Sequence, residues 1–188
     1  KPKNWDNKFM GTMTLRKGLE KSRNSITVRV GQIASLRKIA ETFKRFGIND
    51  NPSPKIHSIV LGALETTLER MTMAYSIIAN KGRKVTPHYI ELIKDRKGNV
   101  LYRRDYTECI ECKEYKRDEA GNALLPVIPV SSGSIITDEA TDYQITSILI
   151  GAIQRGTGQA AKIIPKVVAG KTGTSNEGKD TWFVGFTP

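Results

Sequence analysis

Lys171, Thr172 and Thr174 fall within Ala169-Gly170-Lys171-Thr172-Gly173-Thr174, the densest grouping of chemically capable side chains in the 188-residue chain. Gly170-Lys171-Thr172 matches the end of a phosphate-binding loop, a motif that also requires a glycine five positions before Gly170. Pro165 stands there instead. Proline supplies no N–H and cannot take positive φ, so a phosphate cradle fails. Such a loop must also feed a helix, whereas this segment leads into Thr181-Trp182-Phe183-Val184-Gly185-Phe186. The better reading is a strand lining a cleft. Lys171 would hold a substrate carboxylate or steer a nearby proton, and Thr172 and Thr174 could donate to the same carboxylate. Gly173, without a side chain, would let an extended peptide pair with the strand edge. Taken alone, Lys-Thr-Gly is a weak tripeptide, and an ordinary hairpin with polar residues facing outward is the better reading of it.

Other candidates are weighed the same way. Ser22-Arg23-Asn24 places a hydroxyl and a carboxamide between two helical stretches. Ser35-Leu36-Arg37-Lys38 is the one Ser-x-x-Lys in the chain. On a helical wheel Lys38 lies opposite the apolar stripe, beside Arg37 and Glu41, so it is solvated and charged and a poor base for a neighbouring serine. Ser35 reads as a helix N-cap. Cys109-x-x-Cys112 could be half a zinc site or a redox pair, but neither His57 nor His88 has ligand spacing to it and no βαβ unit surrounds it. Free thiols or a local disulfide are the plainer reading, and no metal or cofactor is expected. His57 and His88 read as surface or satisfied residues, and Trp5 and Trp182 as packing residues.

The elements that must position these groups follow from punctuation and periodicity. Thr14 to Lys21 reads as a short helix entering Ser22, and a second runs from about Ser25 to Ile33. Leu36, Ile39, Ala40, Phe43 and Phe46 form an apolar stripe that Gly47 ends. Residues 49–54 form a loop. Thr66 and Glu69 have capping-box spacing for a helix reaching about Asn80, its apolar side carrying Leu68, Met71, Tyr75 and Ile78. Tyr89–Ile93 and Val100–Tyr102 suggest a hairpin, and residues 105–134 an irregular insertion. Thr137, followed by Asp138 and Glu139, starts a helix to about Arg155, with Gly156 beyond it. Val167–Thr174 and Thr181–Thr187 form a second hairpin. Leading helices and late antiparallel strands point to an α+β layout.

Composition narrows the class. Hydrophobic residues at 38% and charged residues at 26% fit a globular chain able to bury a core. No run approaches the roughly 18 apolar residues of a spanning helix, and no signal segment opens the chain. The formal net charge is +11, and residues 1–60 hold 13 Lys and Arg against 4 Asp and Glu. Such a surplus favours anionic partners or is a plain solvated surface. A basic nucleic-acid-binding module is therefore one alternative, although no zinc-finger spacing, RNA-recognition aromatic motif or sustained basic helix supports it. Opening on Lys1 and closing on Thr187-Pro188, the chain is expected to be a piece of a longer protein.

Class A penicillin-binding proteins carry Ser-x-x-Lys, Ser-x-Asn and Lys-Thr-Gly in that order, and the chain resembles them. Ser22-x-Asn24 after Thr14-Leu15-Arg16, the segment Gly62 to Glu69, Ala74-Tyr75, Ala79-Asn80-Lys81-Gly82, Arg155-Gly156-Thr157-Gly158, Lys171-Thr172-Gly173 and Asp180 to Phe186 all carry the likeness. It covers nearly everything outside 105–134. The resemblance implies one transpeptidase domain over residues 1–188, incomplete, with an antiparallel sheet flanked by helices on both faces like serine DD-peptidases and β-lactamases. It implies that Ser22 relays a proton toward the leaving amine, that Asn24 holds the donor amide, and that Lys171, Thr172 and Thr174 bind the terminal carboxylate of a D-alanyl donor or a β-lactam. The Thr174 N–H would supply half of an oxyanion hole, a donor typically worth ~3–4 kcal/mol. The nucleophile is expected before Lys1, which leaves this chain inactive alone. Implied partners are the peptidoglycan stem peptide and β-lactams, not nucleic acid. The implied parent is an inner-membrane protein with an N-terminal anchor, a glycosyltransferase domain and this domain in the periplasm. A β-lactam-hydrolysing or β-lactam-sensing protein is the alternative within the same chemistry.

Overall fold

In the computed structural model, residues 3–4, 6–53, 57–104, 133–175 and 178–187 are described, His57 by its backbone only. The expectations for Trp5, Cys109, Cys112 and most of the 105–134 insertion lie outside the described residues. The chain forms two compact units, residues 1–85 with 134–188, and residues 86–133.

The larger unit opens with α1 (Leu15–Glu20), α2 (Asn24–Ala34) and α3 (Leu36–Arg45). Their ends are written locally. The Thr14 hydroxyl accepts from the Lys17 N–H at 3.3 Å, and the Ser35 hydroxyl from the Lys38 N–H at 3.4 Å. Ser35 is therefore the N-cap that the sequence suggests, and Lys38 is exposed. Along α3 the stripe Leu36, Ile39, Ala40, Phe43 and Phe46 is the covered side. Gly47 ends the helix at φ 72°, a left-handed conformation that glycine takes without a Cβ clash.

A 3-10 turn (His57–Leu61) leads to α4 (Leu68–Ala79). Here two expectations are corrected. Thr67, not Thr66, caps the helix, accepting from the Arg70 N–H at 3.2 Å, while the Thr66 hydroxyl donates to the Ile48 carbonyl at 2.7 Å. The covered face also turns toward Ala74 and Ile77, which are buried, and leaves Leu68 67% exposed. The next long helix, α5 (Glu139–Arg155), is capped by Asp138, one residue later than expected, through the Thr141 N–H at 2.8 Å.

Two strands from the smaller unit, β1 (Leu92–Lys94) and β2 (Val100–Arg103), pair antiparallel around a turn in which Asp95 accepts from the Lys97 and Asn99 N–H groups, both at 2.8 Å. His88, also in this unit, lies 3.3 Å from Glu91. In the larger unit β3 (Ala169–Thr174) pairs antiparallel with β4 (Thr181–Phe186), Lys171 opposite Val184 and Thr172 opposite Phe183. All pairing between the described strands is antiparallel, as the α+β reading requires. Trp182, Val184 and Phe186 are half-buried, alternating with exposed neighbours. α5 lies against β3 and α1, and α4 against β4 and α5. Ala74, Ile77, Ile148, Leu149, Ala152, Ile153, Val168 and Ala169 are buried in this unit. The packed core therefore backs directly onto the strand that carries Lys171.

Candidate active site

The end of α1 sets the first half of the site. Lys21 caps the helix, the Ser22 N–H reaches the Leu19 carbonyl at 3.0 Å, and the Arg23 N–H reaches the Gly18 carbonyl at 2.8 Å. This pair of bonds closes a helix around a residue in left-handed conformation, usually glycine. Here that residue is Ser22, at φ 53°. A side chain at such a φ costs about 1–2 kcal/mol, so the hydroxyl is kept where the backbone would favour glycine.

The loop is held from its other side by Lys3 and Asp6. The buried Arg23 donates to Asp6 at 2.7 Å, and the Asn24 side-chain N–H group to the Lys3 carbonyl at 2.8 Å. The hydrogen bond from Arg23, joined by one from the Lys8 N–H, holds the Asp6 carboxyl below the usual carboxylate range.

β3 supplies the second half. The Lys171 ammonium donates to the Ser22 hydroxyl at 2.9 Å and to the Thr172 carbonyl at 2.8 Å, joining positions 149 residues apart. Lys171 is half-buried, and that burial lowers its pKa from the ordinary lysine value because the charged form is less well hydrated. The ammonium occupies a lone pair of the Ser22 oxygen and leaves the hydroxyl proton free to be donated onward. The pair can therefore pass a proton outward from Ser22 and refill it from Lys171. Beside it the Thr172 and Thr157 hydroxyls lie 2.7 Å apart, and Gly173 and Thr174 are exposed along the end of β3. An ammonium, two threonine hydroxyls and an open strand edge suit an extended ligand ending in a carboxylate.

Of the residues singled out in the sequence, Ser22, Lys171 and Thr172 are thus close together. The side-chain nitrogen of Asn24 is turned to Lys3 instead. Thr157 had signalled itself only as part of Arg155-Gly156-Thr157-Gly158, without a role. Two more residues gave no sign of their pairing, Glu20 and Arg155, the latter standing out only as a helix end and within that same motif. Glu20 accepts two hydrogen bonds from Arg155, at 2.9 and 2.6 Å, directly beneath the Ser22 loop. Among the described residues no group of three or more His, Cys, Asp or Glu could hold a metal ion.

A mixed helical and antiparallel fold that brings the serine of Ser-x-Asn against the lysine of Lys-Thr-Gly is the pattern of a class, the penicillin-recognising proteins. The profile of the penicillin binding protein transpeptidase domain matches residues 2–188, and the chain belongs to that family. Along its whole length it is 57% identical to penicillin-binding protein 1A of Rickettsia bellii, of which it spans 23%, and over 99% of its length it is 35% identical to penicillin-binding protein 1A of Pseudomonas aeruginosa, of which it spans 26%. Its fold matches the crystal structure of penicillin-binding protein 1A from Haemophilus influenzae with a TM-score of 0.77 at 31% identity, over 98% of this chain and 30% of that one. The chain thus spans about a quarter of the length of the curated relatives it matches.

Proposed function

We propose that residues 1–188 form the proton-relay and carboxylate-binding part of a peptidoglycan D,D-transpeptidase domain that β-lactams inhibit. The observation that carries this reading is the 2.9 Å contact between Lys171 and Ser22. In the reaction a serine attacks the D-alanyl peptide bond, the leaving amine takes a proton, and an acceptor amine later resolves the acyl-enzyme. Ser22 hands its proton to the departing amine, and Lys171 holds that oxygen in place and replaces the proton. Thr172 and Thr174 receive the terminal carboxylate, Gly173 admits the extended donor, the Thr174 N–H faces the developing oxyanion, and Asn24 orients the donor amide through the oxygen of its carboxamide.

The nucleophile in this reading is a Ser-x-x-Lys outside residues 1–188. Ser35 is engaged as a helix cap and Lys38 is exposed, which suits neither role. The intact protein is then an inner-membrane peptidoglycan synthase, also a glycosyltransferase, with this domain in the periplasm. Among the described residues no helix is long and apolar enough to cross a membrane. Its kinship with penicillin-binding proteins 1A of bacteria supports the assignment.

The test is covalent labelling by a fluorescent penicillin. The intact protein should give a long-lived labelled band, and residues 1–188 alone should give none. Rapid release of hydrolysed penicillin would point to a hydrolase. An unlabelled intact protein, or a labelled isolated chain, would sink the assignment as stated.

A further inference from the structure

Glu20 closes α1 with its side chain only 4% exposed, and Arg155 closes α5. The arginine reaches the carboxylate with two donors, Nε to Oε2 at 2.9 Å and Nη2 to Oε1 at 2.6 Å. Arg16, one helical turn back, adds a weaker contact at 3.8 Å. The main chain is knitted at the same point. The Thr157 N–H donates to the Glu20 carbonyl at 3.2 Å, and the Lys21 ammonium donates to the Arg155 carbonyl.

The α5 surface leaves room for this carboxylate. A Cβ on Gly151 would lie 2.1 Å from Glu20 Oε1, and one on Gly156 would lie 2.1 Å from the Glu20 carbonyl oxygen. Two residues beyond Glu20 is Ser22, which holds Lys171, and two residues beyond Arg155 is Thr157, whose hydroxyl meets Thr172. One ion pair therefore stands at the root of both arms that touch Lys171 and Thr172. Stability alone is a weak reason to bury a carboxylate, since desolvation offsets much of what its partner returns.

We propose that the Glu20–Arg155 pair is a positioning device that fixes the Ser22 and Thr157 hydroxyls against β3, and so sets the rate of serine acylation. The inference rests on the transpeptidase reading above. Neither residue touches the substrate, and each acts through its neighbour two positions on. Because Ser22 already sits in a strained backbone conformation, slack at Glu20 translates directly into hydroxyl displacement, and a shift of about 1 Å costs on the order of 100-fold in rate.

The experiment uses the intact protein and a fluorescent penicillin, reading two quantities separately. Labelling stoichiometry counts folded active sites, and the acylation rate constant reports how well each is arranged. Glu20→Gln keeps the shape of the side chain and loses its charge. Arg155→Lys keeps the charge and loses the fork, at a residue whose side chain is 54% exposed and whose replacement the fold should tolerate. Both variants should label close to completion with rate constants ~10–100-fold below the parent, the lysine variant the less affected. The same change at the exposed Arg37–Glu41 pair, Glu41→Gln, should leave the rate constant unmoved. A parent-like rate constant in both variants would overturn the proposal, as would lower stoichiometry at an unchanged rate constant or loss of folded protein in both. A parent that takes no label at all defeats the transpeptidase reading instead.

Discussion

α1 and α3 stop in the same way and for different ends. In each, the second residue past the helix turns left-handed, Ser22 at φ 53° and Gly47 at φ 72°. Each closure carries the same two backbone bonds, Arg23 to Gly18 and Ser22 to Leu19 in α1, Ile48 to Phe43 and Gly47 to Lys44 in α3. At α3 nothing lies within 4 Å of where a Cβ of Gly47 would stand, and glycine is the residue that local energetics select. At α1 the same position holds a serine whose hydroxyl meets Lys171. A third closure, after α4, holds Lys81 at φ 55°, in an exposed contact with Glu139 at 3.7 Å. A non-glycine residue there is thus no mark of chemistry by itself; its partner is. What separates Ser22 is a half-buried cation on an element far along the chain.

The sharpest break in the comparison is made at that cation. In the intact protein Lys171→Ala should lower the penicillin acylation rate constant by about 10²–10⁴-fold, the range of a lost general acid–base group. Gly47→Ala should leave it unchanged. Stopped-flow labelling reads both. Equal rate constants for the parent and Lys171→Ala would make the two helix ends chemically alike and remove the relay.

A smaller effect isolates the strain. Ser22→Ala and Ser22→Gly both delete the hydroxyl, so they share the lost contact to Lys171 and differ mainly in the backbone. Ser22→Gly should be the more stable by about 1–2 kcal/mol in the calorimetric transition of this domain. Gly47→Ala should lose about the same amount, since its added Cβ meets nothing and only φ is penalised. Equal stability of the two Ser22 variants would show that the left-handed turn carries no strain there.

Helix ends were legible because capping is a local transaction among residues three or four apart. Ser35 and Gly47 announced themselves in this way. Thr66 and Thr67 offered the same hydroxyl in adjacent places, and the choice fell to the Ile48 carbonyl, 18 residues back, which engages Thr66. Leu68 was misplaced because a large apolar side chain was counted toward the core while Ala74, small and buried, was passed over. For the site, the Ser22 and Lys171 motifs were readable only as a family pattern, since nothing near either predicts a contact across 149 residues. The pairing of Glu20 with Arg155 left no trace, although Arg155 itself stood out as a helix end and in Arg155-Gly156-Thr157-Gly158. Charged residues at helix ends are ordinary, and their pairing depends on the surface that Gly151 and Gly156 leave open.

Asp142 supplies the smallest test, as a polar group that bears a cost with no visible return. It is buried in the first turns of α5, and its Oδ1 has no hydrogen-bond partner among the described residues. Burial first, then the charges of Asp138 and Glu139, raise its pKa to about 6. The folded state therefore holds the proton more tightly than the unfolded chain, whose carboxyl titrates near 3.8. Stability from this group is fully present below that value and is lost as pH rises through about 6. Asp142→Asn lacks the loss. It should be more stable than the parent at pH 7 by up to about 1 kcal/mol once solvent screening is allowed for, with the advantage vanishing near pH 4. The penicillin acylation rate constant should not change. Ser22→Gly should relieve strain and disable the proposed relay, whereas Asp142→Asn should relieve desolvation and cost no activity. A fall in acylation with Asp142→Asn would place this carboxylate among the groups that support the site.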